Sequence, residues 1–458
     1  MMNIAPPTEL LAKYGMNAPR YTSYPTAPHF TLEPSETEVA DFVGQQPESQ
    51  PVSLYFHIPF CHQLCHYCGC LTKVINYDRP LQDYLALLIT EIKLLGEKLS
   101  HKPRVSHIHF GGGTPNLMTA DDLKSILDTV SQYFILLDTI DIAMEIDPRR
   151  LSAEKVQGYA ALGLTRASLG VQDLQPAVQH AINRVQPYEM IEQCVEWLRA
   201  AGIKSINFDL MYGLPLQTVE GIEDNIKQAL RLNPDRIALF GYAHVPWMRS
   251  HQKLLETHHM PDIEERFMQQ QTAAESLVQH GYEQIGMDHF ALHGDGLSQC
   301  LYNRTMKRNF QGYTADDADV IIGFGLSSIS SLPGAYIQNT ADASLYRKSI
   351  EGGKLPVVKG CLLSTEDMMR REIISDLMCY FEVDLNEVTA KYGYETSLLK
   401  NSEAHLEKIS EDGLLTMKDG IIKIHEHGRP FVRLVCVAFD AYIEKNQEEG
   451  KPRHAKAV

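Results

Sequence analysis

Four cysteines within ten residues form the densest group of reactive side chains in the sequence. Cys61, Cys65 and Cys68 follow the spacing C-x3-C-x2-C, and Cys70 lies two residues further on. Three thiolates on one short loop can hold three irons of a cubane iron–sulfur cluster, which is conventionally ligated by four. The spacing therefore predicts a 4Fe–4S cluster with one iron open, and an open iron can take part in chemistry.

A structural zinc site is the alternative interpretation of this loop. Zinc would use the same three cysteines together with Cys70, His62 or His66. Zinc sites of this kind usually combine two CxxC-like knuckles from separated segments. The sequence has no second knuckle, so the spacing favours the cluster.

The composition is that of a folded protein with an acidic surface. The chain has 458 residues, 44% apolar and 22% charged, and a net charge of −16 that argues against a nucleic-acid substrate. No apolar run approaches the roughly 18 residues of a membrane span, and the N-terminus does not read as a signal peptide, so we expect a cytoplasmic location. The other cysteines are scattered singly, which predicts buried thiols and no disulfide framework. They are Cys194, Cys300, Cys361, Cys379 and Cys436.

The elements that must position the cysteine loop alternate between strand and helix. Six short apolar or β-branched runs are separated by stretches of helical periodicity, which predicts βαβ units and a parallel sheet. The runs are 52–58, 105–110, 140–146, 166–171, 204–210 and 236–240. We therefore expect an α/β fold, an open (β/α)6 partial barrel of the TIM type. All six runs end in polar, Gly or Cys residues, and sites in such folds lie at the carboxyl ends of the strands.

Several of these strand ends carry candidate ligand-binding residues. The run Gly111-Gly-Gly-Thr-Pro115 could cradle a phosphate, but it lacks the lysine and the spacing of a P-loop. Glu145, Gln172, Arg184 and Asp209 could each simply position a loop by a hydrogen bond. As a set at one barrel mouth, they suit a ligand with an amine, a carboxylate and a ribose. Asp209 could bind ribose hydroxyls, and Arg184 could pair with a carboxylate.

The sequence divides into three predicted parts. Residues 1–50 form an arm, 51–355 the partial barrel, and 356–458 a small, mostly helical, winged-helix-like domain. The aromatic stretch Arg20–Ala27 either packs against the main domain or serves as a lid. In the C-terminal part we predict a helix that Ser364 caps, a hairpin at Asp419-Gly420 and a last helix from Arg429 to Ile443.

The cysteine spacing resembles that of the radical S-adenosylmethionine superfamily, and nine segments carry a closer resemblance. They are 19–26 (PRYTSYPT), 57–61 (HIPFC), 68–70 (CGC), 111–115 (GGGTP), 170–173 (GVQD), 208–215 (FDLMYGLP), 242–244 (YAH), 286–290 (GMDHF) and 308–314 (RNFQGYT). Together they resemble the oxygen-independent coproporphyrinogen III oxidases (dehydrogenases) of haem biosynthesis. One departure is local, because Leu71-Thr72-Lys73 stands where that family has a polar Asn-Lys after the fourth cysteine.

The resemblance implies a set of cofactors and contacts. Cys61, Cys65 and Cys68 would hold the 4Fe–4S cluster, and two S-adenosylmethionine molecules would bind beside it. Cys70 would not ligate iron but would matter for turnover, and Tyr55 is the second residue for which we expect a catalytic role. The expected contacts of S-adenosylmethionine are Tyr55, Tyr67, Gly112, Gly113, Thr114, Glu145, Gln172, Arg184, Asp209, Ala243 and Ile329.

The implied reaction converts coproporphyrinogen III to protoporphyrinogen IX, by oxidative decarboxylation of the propionates on rings A and B. A 5′-deoxyadenosyl radical would take hydrogen from each propionate. The electron would come from a donor such as flavodoxin or ferredoxin, the final acceptor is open, and we expect a monomer. The substrate carries four carboxylates that need local cations, and Arg20, Arg304, Lys307 and Arg308 are the candidates.

The alternative function is a haem chaperone, a haem-transfer protein of the same superfamily without oxidase activity. Those proteins lack the fourth cysteine of the loop and tend to lack the N-terminal arm. This sequence has both features, which favours the enzyme.

Overall fold

The computed structural model describes residues 8–31 and 34–443, and a twelve-stranded sheet forms its centre. In chain order its strands are β1 (Val52–Ile58), β2 (Arg104–Gly112), β3 (Ile135–Ile146), β4 (Leu164–Gln172), β5 (Ser205–Tyr212), β6 (Arg236–Gly241), β7 (Tyr282–Ile285), β8 (His289–Leu292), β9 (Val320–Phe324), β10 (Ile329–Leu332), β11 (Ala335–Asn339) and β12 (Val357–Leu362). Across the sheet the order is β12-β11-β10-β9-β1-β2-β3-β4-β5-β6-β8-β7.

The middle of this sheet is parallel. Strands β1 to β6 pair in sequence, each parallel to the next, and β9 adds to the other side of β1 in the same direction. The outer strands at both edges are antiparallel. The predicted α/β fold is confirmed, with all six strands where the apolar runs lie. The seventh parallel strand and the antiparallel pairing of the edge strands were not predicted.

Helices connect the strands and flank the sheet. In chain order they are α1 (Thr8–Tyr14), α2 (Glu36–Gly44), α3 (Arg79–Gly96), α4 (Ala120–Tyr133), α5 (Ala153–Ala161), α6 (Pro176–Ala181), α7 (Tyr188–Ala200), α8 (Val219–Arg231), α9 (Ile263–Gln279), α10 (Gly296–Asn303), α11 (Ala343–Glu351), α12 (Thr365–Tyr380), α13 (Leu385–Lys391), α14 (Lys400–Glu411) and α15 (Val432–Val437). The N-terminus of α4 shows why these helices begin where they do. The Thr119 hydroxyl accepts from the Asp122 amide while the Asp122 carboxylate accepts from the Thr119 amide. Within residues 8–31 and 34–443, none of these helices is both long and apolar enough to cross a membrane.

The C-terminal part packs α12 to α15 around a three-stranded sheet of Glu382–Asp384, Leu415–Lys418 and Ile421–Ile424. Ser364 caps α12, and Asp419 and Gly420 both have positive φ in the hairpin, as predicted. The prediction of one long last helix from Arg429 to Ile443 is wrong. A 3-10 helix (Glu426–Phe431) precedes the short α15, which ends at Val437; beyond it the Ala441 amide donates to the Tyr24 hydroxyl of the arm at 3.0 Å instead of to a helix carbonyl. Residues 444–458 of this predicted part lie outside the described residues.

The N-terminal arm packs against the C-terminal part. Tyr21 and Tyr24 are buried in the same apolar cluster as α12 and α15. The Tyr21 hydroxyl donates to Asp440 at 3.1 Å, and the amide of Ala441 donates to the Tyr24 hydroxyl at 3.0 Å. Arg433 donates to the Pro19 carbonyl at 2.9 Å and also to the carbonyl of Ala18. The arm therefore bridges two ends of the chain.

Candidate active site

The cysteine loop leaves the sheet at the carboxyl end of β1. Its ends are drawn together by a short parallel pairing of Phe60–Cys61 with Lys73–Val74. In the first contact the Lys73 amide donates to the Pro59 carbonyl at 2.7 Å, and in the second the Ile75 amide donates to the Cys61 carbonyl at 2.9 Å. All of the loop cysteines are free thiols. These two hydrogen bonds therefore hold together the ends of the loop that carries the cysteines.

Two of the three predicted ligand sulfurs accept hydrogen bonds from neighbouring elements. The hydroxyls of Thr72 and Thr114 each donate to Cys61 Sγ, both at 3.2 Å. Arg184 Nη1 lies 3.5 Å from Cys65 Sγ, and Arg149 Nη2 lies 3.7 Å from it. Hydroxyl and guanidinium donors stabilise negative charge on sulfur, which suits thiolates that ligate iron. Thr72, in the segment that departs from the family pattern, thus supports the cluster loop directly.

The sulfur geometry does not suit the zinc alternative. In a tetrahedral site with Zn–S bonds of about 2.3 Å, ligand sulfurs lie about 3.8 Å apart. In the described part of the chain, the only group of three or more ligand atoms mutually within 4.8 Å belongs to His107, Asp316 and Asp317. Its His107 and Asp316 already form an ion pair at 2.9 Å. Among the described residues the loop cysteines form no such group, and the hydroxyl and guanidinium donors on Cys61 and Cys65 suit a 4Fe–4S cluster.

Cys70 lies at the exposed end of the loop and interacts with Cys68. A hydrogen bond from Cys70 lowers the pKa of Cys68 to about 6; burial opposes this effect, and the charges of Arg184 and Arg249 add to it. The same hydrogen bond raises the pKa of Cys70 well above its usual value. The pair thus favours a thiolate at Cys68 and a protonated thiol at Cys70.

The glycines at the carboxyl end of β2 are required by close packing. A Cβ on Gly113 would lie 2.6 Å from the Phe60 carbonyl oxygen, and one on Gly111 would lie 2.8 Å from Glu145 Oε1. Gly112 has a φ of +117° and donates its amide to Glu145 Oε2 at 2.9 Å. These glycines therefore let the β2 end, the cysteine loop and Glu145 approach one another.

Two carboxylates point into the mouth from β3 and β5. Burial would raise the pKa of Glu145, but the His109 hydrogen bond at 3.4 Å, with the Gly112 amide, lowers it below its usual value. Asp209 accepts from Ser168 at 3.0 Å and from Asn207 at 2.8 Å. Burial, followed by the charge of Glu145, raises the pKa of Asp209 to about 6. The negative charge of Glu145 therefore contributes to the raised pKa of Asp209 across the mouth.

Tyr55 lies on β1 beneath these groups. Its hydroxyl is 3.0 Å from His57 Nδ1, and its ring stacks on His109 with centroids 5.9 Å apart. Burial and the charge of Glu145 raise the pKa of Tyr55 well above its usual value. Tyr55 is therefore a neutral, hydrogen-bonding wall of the mouth.

Arg184 is held by the protein itself. It donates to the Gly170 carbonyl at 2.7 and 3.2 Å and lies 3.6 Å from Asp147. Burial would raise the pKa of Asp147, but Arg184 and Arg149 outweigh it and lower the pKa to about 2. Gln172, at the end of β4, has a positive φ of 66°. The expected carboxylate partner of Arg184 is thus supplied by Asp147 within the chain.

A segment that the sequence did not single out closes over the cysteine loop. His251 Nε2 lies 2.9 Å from the Cys68 carbonyl, and Arg249 donates to the Gly69 carbonyl at 3.0 Å. Gln252 donates to the Tyr67 carbonyl at 2.9 Å and to the Ala243 carbonyl at 3.3 Å. This 3-10 helix (Ser250–Thr257) thus ties the loop to the end of β6. Ile329 lies apart from it, on β10, and packs in the cluster of Phe30 and Tyr336.

The four candidate substrate cations are divided by the structure. Arg20 lines a cavity of about 470 Å³ between the arm, the end of β6 and the C-terminal part. Arg308 is buried behind it and donates to the Arg20 carbonyl at 3.3 Å. Arg304 lies over the Tyr380 ring, and Lys307 is bound by Asp319 at 2.7 Å, and neither lines the cavity.

Two further arginines, Arg266 and Arg433, line this cavity and were missed by the sequence analysis. Both lie on helices remote in sequence, where nothing in the pattern distinguishes them from surface residues. Arg149 could have been found, because it follows β3 in the same polar run as Glu145.

The comparisons with known proteins agree with this site. The model of the Radical SAM superfamily matches residues 55–229, and that of the HemN C-terminal domain matches 363–431. The chain is thus a radical S-adenosylmethionine enzyme that carries a 4Fe–4S cluster and binds S-adenosylmethionine.

Individual relatives show which family within this superfamily the chain resembles. An oxygen-independent coproporphyrinogen III oxidase of Bradyrhizobium diazoefficiens is 41% identical, covering 98% of this chain and 99% of its own length. A second, of Paracoccus denitrificans, is 38% identical, covering 95% and 96%. The structure of coproporphyrinogen III oxidase from Escherichia coli is 33% identical with a TM-score of 0.89, covering 95% of this chain and 99% of its own. The chain belongs to the family of oxygen-independent coproporphyrinogen III oxidases.

Proposed function

We propose that this chain catalyses the oxygen-independent oxidative decarboxylation of coproporphyrinogen III to protoporphyrinogen IX in haem biosynthesis. The proposal rests on one observation: the cysteine loop and a cationic cavity meet at the same strand end. The cysteine loop is tied through Gln252 to the end of β6, and the arginine-lined cavity opens at that same strand end. A cluster with an open iron beside a cationic cavity suits radical chemistry on an anionic substrate.

When bound, the cluster and S-adenosylmethionine would supply a one-electron reduction and the abstraction of a hydrogen atom from a propionate. For each propionate one hydrogen atom and one further electron leave, carbon dioxide is lost, and a vinyl group remains. Two propionates react.

The chain's own residues hold the cluster and act beside it. Cys61, Cys65 and Cys68 ligate the cluster, and the donors on Cys61 and Cys65 stabilise its negative charge. We infer a role for Cys70 in turnover from its hydrogen bond to Cys68, which leaves its thiol protonated beside the cluster loop.

The contacts of S-adenosylmethionine form the next part of the proposal, with two molecules bound. Strand ends that carry Glu145, Asp209 and the Gly112 turn offer acceptors for an amine and for ribose hydroxyls. The full set is Tyr55, Tyr67, Gly112, Gly113, Thr114, Glu145, Gln172, Arg184, Asp209, Ala243 and Ile329. In this set Arg184 acts through Cys65 and Asp147, because its guanidinium is already bonded.

The partners and organisation belong to the same proposal. The chain works as a cytoplasmic monomer with an arm over 1–50, a partial barrel over 51–355 and a C-terminal domain over 356–458. It takes electrons from a donor such as flavodoxin or ferredoxin. Lys73, Arg79 and Lys348 support an acidic donor, because they line a groove that includes Thr72, a direct neighbour of Cys61.

Anaerobic reconstitution with iron and sulfide tests the function. Incubation with S-adenosylmethionine, a low-potential reductant and coproporphyrinogen III should yield protoporphyrinogen IX and carbon dioxide, with 5′-deoxyadenosine. Tight haem binding with a fully loaded cluster and no decarboxylated product would instead support the haem-transfer alternative.

A further inference from the structure

The cavity at the end of β6 is lined by cationic side chains and by apolar side chains. Its cations are Arg20, Arg266 and Arg433, against the single carboxylate of Asp288. Its apolar lining consists of side chains such as Phe240, Trp247, Met260, Phe267 and Met287. A protein with a net charge of −16 has thus concentrated positive charge beside an apolar wall. Such a cavity suits a ligand that is apolar over most of its body and anionic at one edge.

Of the three arginines that line the cavity, Arg266 makes the fewest contacts with hydrogen-bonding or charged groups of the protein. Among the described residues its guanidinium has no hydrogen bond and no ion pair, and it lies over the Tyr212 ring, 5.7 Å from the centroid. Burial lowers the pKa of Arg266; the Tyr212 ring opposes this, and the charge of Arg20 lowers it further. A half-buried guanidinium beside a like charge is costly without an anion, so the site is built for one.

Arg20 reaches the same cavity from the arm. Its guanidinium donates to the Gly241 carbonyl at 3.3 Å and forms no ion pair with the residues described. Asp288 interacts with the charge of Arg20, but this carboxylate also accepts from His289 at 2.7 Å and lies 3.9 Å from Arg308, so three groups share it. Arg20 therefore keeps most of its donor groups for a ligand.

Arg433, which lines the cavity, and Arg308, which lies behind it, hold the arm in place. Arg433 donates to the carbonyls of Ala18 and Pro19, and Arg308 donates to the carbonyl of Arg20 itself. Three consecutive arm carbonyls are thus fixed by cationic donors. The backbone that carries the Arg20 side chain is positioned before any ligand arrives.

We propose that Arg20 and Arg266 bind the two propionate carboxylates of rings C and D, which the reaction leaves intact, and that Arg433 positions Arg20. This assignment rests on the proposed function. An ion pair stabilises a carboxylate but not the carbon dioxide it would become, so a firmly paired propionate is held back from decarboxylation. Neighbouring guanidiniums therefore suit the side-by-side propionates of rings C and D, and leave those of rings A and B for the cluster side.

Porphyrin binding tests the assignment without turnover. The reconstituted full chain is titrated with coproporphyrin III, which carries all four propionates, and with protoporphyrin IX, which keeps only those of rings C and D. Arg266→Gln and Arg20→Gln should each weaken both ligands by about tenfold or more, and to a similar extent. Arg266→Lys should recover part of the loss, since it restores the charge but not the planar fork.

Matched controls keep the result interpretable. Arg231→Gln removes the same charge from the exposed end of α8, outside the cavity, and should leave both affinities unchanged. Iron content and the unfolding midpoint of each variant report whether it folds. In turnover, Arg266→Gln should raise KM for coproporphyrinogen III far more than it lowers kcat.

Two results would overturn the assignment. Unchanged binding of both porphyrins in folded, iron-loaded Arg266→Gln would show that the arginine does not hold carboxylates. Weakened binding of coproporphyrin III with protoporphyrin IX unaffected would show that it holds the propionates that are consumed. Failure of the proposed function looks different, because the wild type would then bind both porphyrins and form no protoporphyrinogen IX.

Discussion

Replacement of Gly113 by alanine tests whether packing at the β2 end determines retention of the cluster. The new Cβ would lie 2.6 Å from the Phe60 carbonyl oxygen, 2.8 Å from the Phe60 amide nitrogen and 2.9 Å from Thr72 Oγ1. Two of these three atoms are backbone, so no side-chain rotation relieves the clash. Ordinary carbon–oxygen contacts need about 3.3 Å, so the two segments must separate by roughly 0.7 Å.

The displacement falls on the residue next to a ligand. Phe60 directly precedes Cys61, and the Thr114 and Thr72 hydroxyls donate to Cys61 Sγ at 3.2 Å. Overpacking of this kind costs about 1–3 kcal/mol of folding free energy. We expect Gly113→Ala to unfold at lower denaturant and to retain less iron after reconstitution and gel filtration.

A matched control lies in the same loop. Gly69 is exposed, and a Cβ there would meet nothing within 4 Å. Gly69→Ala should therefore change the free energy of unfolding by less than about 0.5 kcal/mol and leave iron retention unchanged. If Gly113→Ala matched the wild type in both measurements, the packing argument would be refuted.

Three further predictions concern single side chains at the mouth. Cys70→Ser should keep its iron but lose at least about tenfold in turnover, since the thiol is replaced by a far weaker acid; full activity would contradict a role for Cys70. Asp147→Asn should lower the free energy of unfolding of the apoprotein by about 3 kcal/mol at pH 7, because it leaves Arg184 unpaired. The pKa of Asp147 is depressed to about 2, so this contribution is present above the unfolded pKa of about 4 and fades as pH falls towards 2. A wild-type advantage that persists unchanged at pH 2 would contradict this assignment. Asp209, with a pKa raised to about 6 by burial and Glu145, should make S-adenosylmethionine affinity rise as pH increases through 6. In Glu145→Gln the rise should move to lower pH, as isothermal titration would detect, and a midpoint that does not move would rule out coupling between the two carboxylates.

The sequence was sufficient for the part of the fold that carries the chemistry. Each of the six parallel strands is an apolar run bounded by turn residues, and its carboxyl end carries the polar residue that marks the site. This local signal located Cys61, Glu145 and Asp209 on the mouth, because the periodicity of a βαβ unit fixes which end of each strand faces it.

What the sequence could not supply depends on contacts between distant segments. Arg266 and Arg433 become functional candidates only when α9 and α15 pack against the arm. Arg304 and Lys307 looked equivalent to Arg20 in composition, but Tyr380 and Asp319 engage them elsewhere. The last helix was overpredicted because the apolar pattern of 429–443 gives no sign that the Ala441 amide bonds to Tyr24 of the arm, a contact between distant segments.

The bonds between the arm and α15 have a consequence for synthesis of the protein. Arg433 and the Pro19 carbonyl are 414 positions apart, and Tyr21 and Asp440 are 419 apart. At about 5–20 residues per second, a ribosome needs roughly 20–80 s to make the chain between them. During that interval the parallel sheet can form and Arg308 can bond to the Arg20 carbonyl, but the bonds from Arg433 to the carbonyls of Ala18 and Pro19 are still missing. The cavity that Arg20, Arg266 and Arg433 line is therefore completed only after translation has passed α15.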